Sequence, residues 1–223
     1  MKWFTQLLTS SLGKKFIMAL TGLFLISFLI IHCAINAMIF LNDGGQTFSM
    51  LGHFMGTNPV TRTLEIGLVV GFVLHIIQGL LLWKENNSAR PVKYNVVSAS
   101  ANSKWYSRSM GLLGTLLLLF LVMHTSHFWI PNRTNQFIEG EELPLYSMML
   151  EVFSNPWIVL LYVLGCVSLF WHLLHGFASA FQSLGFNHLK YNGIISAVGT
   201  GFSIIVSILF ALMPIAIYLK WVI

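Results

Sequence analysis

Trp171-His172-Leu173-Leu174-His175-Gly176 sets two histidines inside a long apolar run, 156–183. Imidazoles are rare where a membrane would leave no water, and there they tend to carry function. The spacing of His followed four residues later by Gly occurs once earlier, in His75-Ile76-Ile77-Gln78-Gly79. A longer pattern also recurs. Gly22-Leu23-Phe24-Leu25-Ile26-Ser27-Phe28-Leu29-Ile30-Ile31-His32 matches Gly114-Thr115-Leu116-Leu117-Leu118-Leu119-Phe120-Leu121-Val122-Met123-His124, with Gly, Phe and His in register. The first half of the chain thus resembles the second.

Composition points the same way. Of 223 residues, 56% are hydrophobic and 9% charged, against about a quarter charged in a soluble domain. Mean hydropathy is +0.77. The expected fold is an all-α membrane protein forming one unit over 1–223. The net charge of +5 is small and lies mostly on one side, which argues for membrane orientation and against nucleic-acid binding. Cys33 and Cys166 fall in apolar runs and read as packed small residues, not as a disulfide. No C-x-x-C-H motif occurs, so covalent haem is not expected. The first apolar run is too long for a signal peptide and lacks a small-residue cleavage site, so no cleaved leader is expected.

Five apolar runs, 16–40, 62–84, 108–130, 156–183 and 192–219, each exceed the ~20 residues that cross ~30 Å of hydrocarbon. Helices satisfy their own backbone hydrogen bonds and are the expected spanning form. Residues 1–15, with Lys2, Lys14, Lys15, Trp3 and Phe4, read as an interfacial amphipathic segment. Residues 41–61 begin with the turn Asn42-Asp43-Gly44-Gly45 and then read as a loop carrying His53.

Lysine and arginine favour the cytoplasmic side. The N-terminus and the second and fourth connections hold Lys2, Lys14, Lys15, Lys84, Arg90, Lys93, Lys104, Arg108 and Lys190; the other side holds Arg62, Arg133 and Lys220. Of the seven acids, all but Glu85 fall on that other side. The N-terminus is therefore expected inside and the C-terminus outside.

Depth sorts the histidines. At ~1.5 Å per residue, His32 and His124 lie ~12 and ~9 Å from the outer ends of spans 1 and 3. His75 and His172 lie ~14–16 Å from the inner ends of spans 2 and 4. Two heights result, with two histidines at each. An iron ligated by two histidines takes one imidazole on each face, and four-helix bundles build cofactor sites between facing helices. We therefore read the first four spans as a haem-binding four-helix bundle with two haems b. His32 and His124 would be axial ligands of one iron, and His75 and His172 of the other. Such a parallel repeat is related by an axis along the membrane normal, which brings equivalent positions together. His127 and His175 follow matched histidines by about one turn and have no counterpart in the other half. They read as groups beside the haems, donating to propionates or lying near quinone, and stand as alternatives for the ligands. Gly22, Gly79, Gly114 and Gly176 would admit a porphyrin or a neighbouring helix.

These residues resemble a known family. Phe28-Leu29-Ile30-Ile31-His32, His53-Phe54-Met55, Leu64-Glu65-Ile66, His75 with Gly79, Gly114 to His124, and His172 through Gly185 are similar to the single-chain, five-helix dihaem cytochrome b (b558-type) anchors of succinate:quinone oxidoreductases and fumarate reductases. The resemblance covers nearly the whole chain. It implies a multi-pass subunit of the bacterial inner membrane whose partners are a flavoprotein and an iron–sulfur protein. The proximal haem (His75, His172) would face the iron–sulfur partner. The distal haem (His32, His124) would serve quinone, usually menaquinone. The resemblance also ties the region of His53 and Glu65 to the distal quinone site, where an imidazole and a carboxylate could relay protons. Glu65 also reads as an acid favoured at a helix start. Arg90, Lys93, Lys104 and Arg108 form a basic connection suited to docking the iron–sulfur protein, although the orientation signal accounts for most of that charge. Some relatives carry a glutamate two residues before the fourth ligand; here it is Phe170, which puts their proton pathway in doubt.

Three other readings stand beside this one. A dihaem anchor of a hydrogenase or formate dehydrogenase shares the chemistry but not the partner. A desaturase or membrane protease would gather its histidines at one depth around iron or zinc. A transporter or scaffold would merely pack them. On orientation, a reporter enzyme active only outside the cytoplasm is expected to work when fused after Ile223 and to fail when inserted within 85–107. The reverse pattern overturns the charge argument.

Overall fold

The computed structural model describes residues 9–88 and 104–222, which are helical with no strand among them. Among the described residues the α-helices are, in order, α1 (Ser11–Asn36), α2 (Gln46–Thr57), α3 (Pro59–Ser88), α4 (Trp105–Arg108), α5 (Met110–His124), α6 (Ile130–Ile138), α7 (Leu145–Val152), α8 (Pro156–Ser183) and α9 (Leu189–Tyr218). A 3₁₀ turn, Ala37–Leu41, extends α1, and a π turn, Thr125–Trp129, joins α5 to α6. Among the described residues five stretches are long and apolar enough to cross a membrane: Ser11–Leu41, Pro59–Ser88, Met110–Ile138, Pro156–Ser183 and Leu189–Tyr218.

Only the fourth span has the bounds expected from the sequence, and the reasons are local. Ser10 accepts a hydrogen bond from the Gly13 N–H at 3.1 Å and so starts α1 well before residue 16. Most of the expected interfacial segment, with Lys2, Trp3 and Phe4, lies outside the described residues, as do Arg90 and Lys93 of the basic connection. Within it, Lys14 and Lys15 belong to α1, and Lys14 is buried in an ion pair with Glu85 of α3.

The first connection contains a helix where a loop was expected. Asn42, Gly44 and Gly45 take positive φ values of 55°, 67° and 77° and form the turn. Asp43 then accepts from the Thr47 hydroxyl at 2.6 Å and its N–H at 3.0 Å, which starts α2. These bonds, the hydroxyl's first, hold the Asp43 carboxyl below its usual range. His53 therefore sits on a helix.

The third span also outruns its expected end. Pro131 has no N–H for the His127 carbonyl, and its ring would clash there. The chain answers with a π turn in which the Ile130 N–H reaches back to the Thr125 carbonyl, and the helix continues.

Spans 2 and 4 begin alike. Asn58 caps the Val60 N–H at 2.9 Å, and Asn155 caps the Trp157 N–H at 2.9 Å, with a proline following each asparagine. In both, the matched histidine lies sixteen residues beyond that proline, about 24 Å along the helix. The shared cap thus sets His75 and His172 at one depth.

Packing closes the first four spans into a ring: α1 on α3, α3 on α5, α5 on α8, and α8 on α1. Span 5, α9, lies against α8 and α1. Spans 1 and 3 are diagonal in this ring, as are spans 2 and 4. The Ser168 hydroxyl donates to the Leu113 carbonyl at 3.1 Å, tying α8 to α5. The apolar core is concentrated at the side where α1 ends, where Cys33, Phe48, Met149, Phe153, Tyr162 and Met213 pack beneath α2 and α7. Cys33 and Cys166 are buried and unbonded. Leu116, Leu119 and Val122 of α5 and Ile205 and Ile208 of α9 are exposed, as lipid-facing residues should be. At Gly199 of α9 an added Cβ would lie 2.7 Å from the Phe177 ring of α8, whereas at Gly201 it would meet nothing within 4 Å. Gly199→Ala is expected to cost about 1–3 kcal/mol by overpacking. Gly201→Ala is expected to be neutral, and thermal unfolding in detergent compares the two.

Candidate functional site: two histidine pairs across the bundle

The diagonals of the ring bring the matched histidines together. His32 of α1 and His124 of α5 have ring centroids 5.8 Å apart. His75 of α3 and His172 of α8 are 6.2 Å apart. Two metal–nitrogen bonds of about 2.0–2.1 Å, plus about 1.1 Å from nitrogen to centroid on each ring, place facing imidazoles about 6.3 Å apart. Both pairs are close to that separation. The donor set is right for a haem iron, and the Nδ1 atoms of His124 and His172 are buried without a hydrogen-bond partner. At Gly114 and Gly176 an added Cβ would meet nothing within 4 Å. Gly22 lies beside the His75 ring, its Cβ position 3.5 Å from Cε1, and Gly79 lies against Met18. The residues fit two haems.

Each imidazole of the His32–His124 pair is held by an aromatic ring one turn earlier. Phe28 stacks on His32 at 5.1 Å, and Phe120 stacks on His124 at 5.7 Å. This is the Phe–His register of the repeat in three dimensions. Phe120 keeps its place because α8 presents Gly165, where any Cβ would collide with the Phe120 ring. The sequence offered no sign of that contact, since Gly165 has no counterpart in the repeat. Asn36 approaches His32 from its own helix, donating to the His32 carbonyl at 2.8 Å with Nδ2 3.3 Å from Nδ1.

His127 and His175 are engaged elsewhere. The π turn carries His127, whose Nδ1 is 3.0 Å from the Tyr162 hydroxyl and whose ring stacks on Tyr162 at 5.9 Å. Tyr162 in turn lies 5.9 Å from His124. His175 Nε2 is 3.1 Å from the Ser179 hydroxyl, and its ring lies 6.5 Å from Tyr106. Tyr106 stacks on Trp171 at 5.5 Å, next to His172 in sequence. Among the described residues no group of three or more His, Cys, Asp or Glu side chains is placed to hold a metal ion.

His53 and Glu65 belong to one polar chain on the far side. Glu65 Oε1 accepts from Arg133 Nε at 2.8 Å and Trp129 Nε1 at 2.5 Å. Its Oε2 accepts from Arg133 Nη2 at 2.8 Å and Arg62 Nη1 at 2.5 Å. Four donors occupy the four acceptor positions of a carboxylate. Arg133 also bonds Gln136, which donates to Glu142 Oε1 at 3.1 Å. Glu142 Oε2 is 2.6 Å from Nδ1 of the exposed His53. Gly56 makes room for Glu142, whose carboxylate fills the place of a Cβ. His53 and Glu142, with Phe48, Gly52 and Leu145, line a cavity of about 190 Å³. Glu142 and Arg133 were missed in the sequence because their partners are far away in the chain.

The fold and these pairs define a five-span membrane protein with two opposed imidazole pairs inside a four-helix ring. No family model matches the chain, and no solved structure matches it. Among curated proteins it is 26% identical over 150 residues to the succinate dehydrogenase cytochrome b558 subunit of Bacillus subtilis (strain 168), covering 67% of each chain.

Glu65→Gln keeps one acceptor oxygen and strands part of the donor set. It is expected to cost about 1–3 kcal/mol in thermal unfolding. The loss should shrink in an Arg133→Ala background, as a double-mutant cycle reads directly.

Proposed function

We propose that this chain is the membrane-anchor cytochrome b subunit of a succinate:quinone oxidoreductase, taking electrons from an iron–sulfur partner and delivering them to quinone, menaquinone by resemblance. The observation that supports it best is the pair of imidazole separations, 5.8 and 6.2 Å, on the two diagonals of the ring. The name of the B. subtilis relative agrees with it. On this reading His75 and His172 hold the proximal haem b and His32 and His124 the distal one. A bound b haem supplies a one-electron carrier, and the protein supplies ligation, spacing and exclusion of water. Phe28 and Phe120 keep the distal imidazoles from turning.

At the distal end His53 is the group suited to exchange protons, because it is exposed and backed by the Glu142 carboxylate. Glu65, with its acceptor positions filled, serves the quinone region by anchoring Arg133 and, through Gln136, the Glu142 side chain. His127 with Tyr162 and His175 with Ser179 lie beside the two pairs as hydrogen-bonding groups. Lys104 and Arg108 are the described part of the basic surface toward the iron–sulfur protein. The complex sits in the bacterial inner membrane with the N-terminus cytoplasmic and the C-terminus outside. It includes a flavoprotein that interconverts succinate and fumarate. Co-purification of a flavoprotein and an iron–sulfur protein separates this reading from a hydrogenase or formate dehydrogenase anchor.

Reduced-minus-oxidised spectra with haem quantitation test the cofactor reading. Two b haems per chain are expected. His32→Ala and His124→Ala should remove one spectral component, and His75→Ala and His172→Ala the other. A wild type without b-type bands, or losses grouped differently, overturns it.

A further inference from the structure

Thr21 lies ten residues into α1 and is itself buried. Its hydroxyl donates to the Ile17 carbonyl at 2.7 Å, with the Met18 carbonyl at 3.2 Å as a weaker second acceptor. The same oxygen is 3.2 Å from His75 Nδ1 on α3. A hydroxyl has one hydrogen and two lone pairs. Here the hydrogen is committed to α1's own backbone, so toward His75 the oxygen can only accept. The Nδ1 atom must then carry the imidazole hydrogen, which leaves the lone pair of the neutral ring on Nε2. Only that form can donate Nε2 to a metal.

The second half of the chain lacks this device. The residue in register with Thr21 is Leu113, just before Gly114. The His172 Nδ1 atom is buried and has no hydrogen-bond partner. One imidazole of the pair is therefore polarised by a protein acceptor and the other is not.

We infer that Thr21 is a positioning residue that fixes His75 in its Nδ1–H form, with Nε2 ready to bind the proximal iron. The inference rests on the haem reading above. A ligand whose other nitrogen donates a hydrogen bond is a stronger base and binds its metal more tightly. Thr21 thus strengthens one side of one haem site and leaves the distal pair untouched.

The test uses the full-length protein in detergent, with Thr21→Val, Thr21→Ala and Thr21→Ser. Valine keeps the shape and removes the acceptor, alanine removes it with less bulk, and serine retains it. Haem occupancy, optical redox titration and low-temperature electron paramagnetic resonance are read for each haem. The proximal component is the one lost in His75→Ala. Thr21→Val and Thr21→Ala are expected to lower haem affinity at the proximal site about tenfold or more, to shift its potential upward and to alter its resonance signal. The distal component should not move, and Thr21→Ser should restore the proximal one. Two haems with unaltered affinities, potentials and signals in both acceptor-less variants would overturn the inference. Absence of b-type bands in the wild type would overturn the haem reading, and this inference with it.

Discussion

A polar side chain inside a membrane must find a partner there, because no water is present to supply one. This constraint organises the bundle. The four matched histidines face one another across the ring centre, and the polar atoms around them are spent locally. Thr21 bonds its own helix and His75, Asn36 bonds the His32 carbonyl, and Ser168 bonds the Leu113 carbonyl. Two imidazole nitrogens, Nδ1 of His124 and of His172, stay unpartnered, and each belongs to one of the pairs.

Symmetry in the chain becomes symmetry in space through helix ends as much as through helix faces. Asn58-Pro59 and Asn155-Pro156 start spans 2 and 4 with the same cap, and the helix between cap and histidine is a ruler of fixed length. Phe28 and Phe120 repeat the same stacking one turn before their histidines. Departures from symmetry mark where the halves have separate tasks. Gly165 has no counterpart in the repeat, yet a side chain there would displace Phe120. Thr21 is matched by Leu113, so the two ligands of one pair have different electronic surroundings.

The two sides of the bundle are built from different materials. At the far side α2, α7 and the end of α9 cover an apolar core, over which Arg62, Glu65, Arg133, Gln136, Glu142 and His53 form a continuous polar chain. At the side where α1 begins, the Lys14–Glu85 ion pair and the rings of Trp105, Tyr106 and Trp171 take that place. Arginine breaks any simple proton wire along the far-side chain, since it does not give up its proton. That chain therefore works as a clasp that holds Glu142 against His53.

Much of this protein is legible in its sequence. Five runs of apolar residues long enough to span hydrocarbon, the register of Gly, Phe and His in the two halves, and the two depths of histidine all follow from one-dimensional spacing. Helical rise turns spacing into height without any knowledge of neighbours. Spacing could not say where span 5 lies against the ring, because that is set by packing between spans. It could not show that 46–57 and 145–152 are helical, since caps such as Asp43 with Thr47 and the covering of a core make short helices worthwhile. It could not separate Glu65 as a saturated clasp from Glu65 as a proton carrier, because Arg133 and Trp129 reach it from more than sixty residues away. Height is a property of one helix and is written in the chain, whereas partnership belongs to two helices and exists only once they have packed.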